Sequence, residues 1–239
     1  MDSIDGMFTT SVSDSSSQKV RTDAILDHSI LDRVRHLGQA HRYLSNVSRY
    51  LERRELSRFP LSRIVLLRPY ESERLIHPII RITPCDWRDL GVSTISKGTT
   101  HVFVPLLNNS SSNSTHAPYW SLLLVSLVDS WACHYDFNRG GGHSEGLRAT
   151  QNLSSVLGCV LKFRELDDCP RWEVDESESG VYTVITLKHL LVSRLLTATR
   201  DQVVNVDMSG QLIDGPGGRK ETKRLVEQIK KEARRRWGG

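Results

Sequence analysis

The chain has 239 residues, 38% hydrophobic and 25% charged, enough for one globular domain with a full core, and its net charge of +4 is mild. Four cysteines, Cys85, Cys133, Cys159 and Cys169, show no CxxC spacing. This argues against a zinc site or a disulfide frame and predicts reduced thiols in the cytoplasm or nucleus. No apolar run reaches the ~18 residues of a membrane span and no signal-type core opens the chain, so no membrane association is expected.

Residues 1–20 are rich in Ser, Thr and Asp and are read as a disordered tail. From Asp23 to Leu37, apolar residues recur at helical spacing, and a second helix is predicted from about Ala40 to Leu51. Ile64 to Leu67 reads as a short strand and Ile79 to Ile82 as another short element, between the breakers Pro78 and Pro84. His101 to Leu107 reads as a buried strand, followed by a Ser/Asn-rich loop from Asn108 to Thr115. Sequons at Asn109 and Asn113 mark that loop, and without a secretory signal they carry no further meaning.

The densest apolar stretch is Tyr119 to Val128, predicted as a central strand. Asp129 and Ser130 form its turn, and Trp131 to Asp136 returns as the partner strand. Phe137 to Gly142 is a Gly-rich turn; its lone Gly-Gly-Gly is weak evidence for phosphate binding. Glu145 to Leu157 is a predicted helix stopped by Gly158, and Cys159 to Phe163 a predicted strand. Asp167 to Glu178 places six carboxylates in twelve residues and reads as an acidic loop. Ser179, well suited as an N-cap, opens a helix apolar nearly all round and hence buried. After a Gly-rich stretch, residues 217–239 read as a basic amphipathic helix, with Leu225, Ile229, Ala233 and Trp237 on one stripe packed against the domain. Its basic face is read as solvated, so nucleic acid is not expected as a partner.

Three motifs align in order. Tyr119-Trp120-Ser121-Leu122 opens the central strand, His134-Tyr135-Asp136 ends the next, and Ser179-Gly180-Val181-Tyr182 starts the buried helix. This order and spacing resemble the ubiquitin-like-protein-specific cysteine proteases, which process SUMO and Nedd-type modifiers, and the deneddylase branch most closely. That branch has His-Trp-Ser-Leu, then Tyr-Asp, then a Gln, five further residues and Cys-Gly-x-Tyr. Asp27-His28-Ser29-Ile30 resembles the family's Trp-Leu-Asn-Asp-His-Ile-Ile entry, whose Trp falls on Ala24 and Asn on Leu26. The resemblance spans about 23–237, with its specific part from 101 to 190. It implies an α+β, papain-like cysteine-protease fold with a central mixed sheet and a buried helix. The protease-like domain would occupy 21–216.

By this resemblance the family's base His falls on Tyr119, its orienting Asp on Asp136, its oxyanion-hole Gln on Glu173 and its nucleophilic Cys on Ser179. Three of the four positions are therefore changed. A Cys at a helix N-terminus beside His⁺ ionises; a Ser hydroxyl needs a base. A phenol with an ordinary pKa of about 10 is a poor base, and a carboxylate at Glu173 would oppose a forming oxyanion. His116 lies three residues upstream across Pro118 and is not expected to substitute; His134 and His143 are read as structural or surface residues. Trp120 would roof, and Gly180 would admit, a modifier's Gly-Gly tail. The resemblance thus implies a catalytically inactive homologue that binds a ubiquitin-like modifier, SUMO or Nedd-type, with no cofactor or metal. The alternatives are an active peptidase with an altered site and an interaction module without modifier contact.

Overall fold

The computed structural model describes residues 41–76, 95, 98–108, 118–137, 142–166, 179–198, 204–208 and 215–237. The expected N-terminal tail, the helix at 23–37, the element at 79–82 and the loops at 109–115 and 167–178 lie outside them.

Helix α1 (41–54) buries Leu44, Val47, Ser48 and Leu51, the spacing of a single helical face. A 3₁₀ turn, Leu56–Arg58, leads to strand β1, Ile64–Leu66. Helix α2, Pro69–Ile76, was not among the expected elements. Its start is built from local chemistry. Pro69 takes the first helical position, where its missing N–H costs nothing, and Glu71 Oε2 accepts the Arg68 N–H at 2.6 Å.

Strands β2 (His101–Asn108), β3 (Tyr119–Ser126) and β4 (Trp131–Tyr135) form an antiparallel meander. Strand β1 adds parallel to β2, and β5 (Lys162–Glu165) adds parallel to β4. The result is a five-stranded mixed sheet in the order β1-β2-β3-β4-β5. Every residue of the central strand β3 is buried, as its apolar run predicts. Pro105 is tolerated in β2 because the β1 pairing ends at Phe103, so its missing N–H leaves no β1 ladder bond unmade. The β3–β4 turn is longer than expected and spans 127–130. Ser126 ends the ladder: its hydroxyl donates to Asp129 Oδ2 at 2.8 Å and receives the Asp129 N–H at 3.2 Å.

Helix α3 (His143–Leu157) stops at Gly158, whose φ of 63° is left-handed and whose N–H returns to Ser154 O. Strand β5 begins three residues later than expected. The Cys159 N–H also turns back to Ser154 O, at 3.2 Å, and the Leu161 N–H to Ser154 Oγ, at 3.2 Å. The chain is therefore free to join the sheet only at Lys162. Helix α4, Ser179–Lys188, continues in π-helical geometry over His189–Leu195, where the Leu196 N–H reaches Leu191 O, five residues back. Helix α5 is Gly215–Trp237. Leu225 is buried, Ile229 half-buried and Ala233 exposed, so the apolar stripe fades toward the C-terminal end.

One face of the sheet packs Val102, Val104, Leu123, Val125 and Ala132 against Leu75 and Ile76 of α2 and Ala149 and Leu153 of α3. Helix α4 packs on β3, and α5 packs on α4, where Lys188 and Glu221 pair at 2.5 Å. Among the described residues, Cys133 is buried and Cys159 half-buried, and neither is in a disulfide.

Candidate functional site

The β-sheet register gathers the three motifs at one end of the sheet. Tyr119 lies opposite Asn108, and Leu122 lies opposite Tyr135. The start of β3 and the end of β4 are therefore neighbours, and Asp136 emerges beside Tyr119. The Tyr119 hydroxyl donates to Asp136 Oδ2 at 3.2 Å. The same oxygen accepts the Gly142 N–H, at 3.0 Å, from the N-terminal end of α3. Ser179 stands at the first turn of α4, and its Oγ accepts the Trp120 backbone N–H at 3.0 Å. Tyr119, Trp120, Asp136 and Ser179 are all buried, between 2% and 6% exposed. Four of the expected site residues and Gly180 thus come together, while Glu173 and His116 lie outside the described residues.

Helix α4 is described from Ser179, whose Oγ accepts a hydrogen bond from the backbone of β3. The Thr183 hydroxyl caps back to Ser179 O at 2.9 Å. A Cβ added at Gly180 would meet Trp120 Cδ1 at 3.6 Å, an ordinary contact.

The electrostatics follow from burial. The Tyr119 phenol is pushed far above its ordinary value, first by desolvation, then by the Asp136 charge and the hydrogen bond to it. It is a neutral donor at any working pH. Tyrosine has a single polar atom, and here that atom donates to Asp136.

Next to this pair lies a second buried chain that the sequence does not reveal. Asn108 Nδ2 donates to Ser121 Oγ at 2.9 Å, and Ser121 Oγ meets His134 Nε2 at 2.9 Å. Gly146 of α3 seats directly on the ring, since a Cβ there would lie 2.9 Å from His134 Nδ1. Burial lowers the His134 pKa to about 4. His143, half-exposed, pairs with Glu165 at 2.8 Å. His134 is thus a buried core residue, and His143 lies at the surface. The available signal for Gly142 and Gly146 was the glycine-rich turn and its helix, but their contacts depend on the sheet register. Among the described residues, no group of three or more His, Cys, Asp or Glu side chains could hold a metal ion, and no helix is long and apolar enough to cross a membrane.

The solved structures similar to this chain include the C-terminal Ulp1 protease domain in complex with Smt3, the yeast ortholog of SUMO. It aligns at 11% identity over 80% of this chain and 76% of that one, with a TM-score of 0.54. The SUMO protease Ulp1 with its catalytic cysteine oxidized to a sulfinic acid aligns at 12% identity over the same shares, with a TM-score of 0.55. The fold is that of the Ulp1 protease domain. No family model matches the chain, and no curated protein matches it. Within the Ulp1-like fold, the mixed sheet, the buried helix α4 and the site end of β3 and β4 occupy one contiguous region of this chain.

Proposed function

We propose that this protein is a non-catalytic relative of the SUMO and Nedd-type proteases, nearest the deneddylase branch, that binds a ubiquitin-like modifier. The observation that carries this reading is the Tyr119–Asp136 bond. It supports a site in which the only polar atom at the base position is a donor held by the carboxylate, beside a Ser hydroxyl rather than a thiol. Glu173, carried over from the family's oxyanion-hole position, adds a further argument from sequence.

Binding is favoured by Gly180. Among the described residues, a Cβ there would closely meet Trp120 Cδ1 alone, at 3.6 Å, so their packing does not demand a glycine. A close approach by an incoming Gly-Gly backbone would demand one. The similar Ulp1 domain was solved with Smt3 bound, which makes SUMO the first modifier to test, followed by Nedd-type modifiers.

The acidic run from Asp167 to Glu178 sets a direction. It repels a free C-terminal carboxylate but not an amide-linked tail. Conjugated or C-terminally amidated modifier is expected to bind better than free modifier, with a gap that narrows as salt rises. Calorimetry with both forms at two salt concentrations measures this, and a fluorogenic modifier conjugate measures hydrolysis, expected to be absent. Turnover of the conjugate would reject the non-catalytic reading. No binding to any modifier would leave an interaction protein without modifier contact.

A further inference from the structure

Positive charge in this chain is segregated. Residues 41–58 carry five Arg against two Glu, and Gly215–Trp237 carries nine Lys/Arg against three Glu. Together they hold a surplus of nine, so the rest of a chain whose total is +4 is negative by five. The two stretches meet as helices α1 and α5. The Tyr50 hydroxyl donates to Gln228 Oε1 at 3.1 Å, and Arg54 pairs with Glu232 at 3.6 Å. Both partners advance by four residues between these contacts, so α1 and α5 run parallel and their C-terminal ends lie together.

At that end is a cleft of about 370 Å³ lined by Arg53, Arg54, Arg58, Glu232 and Arg235. Part of this charge has a structural cause. Each helix C-terminus carries roughly half a negative charge, and basic side chains offset it. Glu232 answers Arg54, and Glu55 answers Arg58 at 3.7 Å. Arg53 and Arg235 have no carboxylate partner among the described residues. They exceed the two helix ends by about one charge, and Lys231 and Arg234 at the same end of α5 add to the surplus.

All four cationic side chains lining the cleft are arginines, although α5 also carries lysines. A guanidinium presents a planar fork that matches oxyanions in bidentate fashion, whereas an ammonium is a point charge. The volume lies at the lower end of small-ligand sites. We infer that this cleft binds a multiply charged phosphate anion of pyrophosphate size or larger, with Arg53 and Arg235 supplying the forks. The site is independent of the one built on Ser179.

The test is calorimetry on the full chain with inorganic pyrophosphate and tripolyphosphate at low salt. One saturable site is expected. Replacing both arginines, Arg53→Ala with Arg235→Ala, should weaken binding by about tenfold or more, and Arg53→Lys with Arg235→Lys should weaken it several-fold although the charge is kept. Lys220→Ala with Lys223→Ala removes the same charge from the other end of α5 and should change affinity by less than about twofold. Circular dichroism checks that each variant is folded; if the Ala pair does not fold, the Lys pair decides. Absence of a saturable site, an unchanged affinity in the Lys pair, or an equal loss in the distant pair would overturn the inference.

Discussion

His134 makes the stability of this fold sensitive to acid. Its ring is fully buried between Ser121, Phe163 and Gly146, with its centroid 6.0 Å from that of Phe163. Desolvation lowers its pKa from the ordinary 6.5 to about 4; the Glu165 carboxylate on β5 acts against this shift, and His143 on α3 acts with it. The unfolded chain protonates this histidine below about pH 6.5, and the folded chain does not until about pH 4. Because the folded pKa is depressed, the stability is present above pH 6.5 and is lost as pH falls toward 4. At about 1.4 kcal/mol per pH unit, the full loss is about 3 kcal/mol. The perturbation is His134→Gln, which keeps a polar side chain and cannot titrate. Urea unfolding at steps from pH 7.5 to 4.5 gives the slope for each protein, and comparison of slopes cancels the other histidines, including His101 and His189. The wild type should lose most of that ~3 kcal/mol relative to the variant. Parallel slopes would refute the reasoning, since they would mean that His134 carries a proton in the folded state.

Ser179→Ala should destabilise the fold by about 1–3 kcal/mol in denaturant titrations, because the buried Trp120 N–H loses its 3.0 Å acceptor. Turnover of a modifier conjugate should be highest when Tyr119→His, Glu173→Gln and Ser179→Cys are combined, since catalytic groups that act as a unit are non-additive. Full activity from Ser179→Cys alone would contradict the role given to Tyr119. In thermal melts, Gly158→Ala should cost about 1 kcal/mol through its φ of 63°, with no clash since no described atom lies within 4 Å, and Gly158→Asn should cost less.

The β2–β3–β4 meander was legible because its strands are buried on both faces and therefore read as continuous apolar runs. Helix α3 was legible because Gly158 ends it by a local rule. Helix α2 was not, because its eight residues carry only Leu75 and Ile76 as an apolar face; Pro69 and Glu71 held the signal. The shift of β5 depends on Ser154, which takes amides from three residues beyond the helix. The continuation of α4 as a π-helix leaves no mark in a segment that is apolar on most sides. At the site, motif spacing located Tyr119, Asp136 and Ser179, but the Ser179–Trp120 bond joins residues 59 apart. Only tertiary structure could supply it, as it supplies the Asn108–Ser121–His134 chain.

Asp136 has a structural role at this end of the sheet. Its Oδ2 receives the Tyr119 hydroxyl from β3 and the Gly142 N–H from the start of α3, while its own backbone follows β4. One carboxylate thus ties three elements at the end of the sheet where the motifs meet. A buried carboxylate stripped of donors is costly, and the Tyr119 hydroxyl is one of the donors that Asp136 keeps. Tyr119 supplies the hydrogen bond that holds the site end together and, as a phenol, offers no second polar atom. Under the proposed non-catalytic reading, Tyr119 at the position of the family's base would account both for the tie at this end of the sheet and for the lack of a base there.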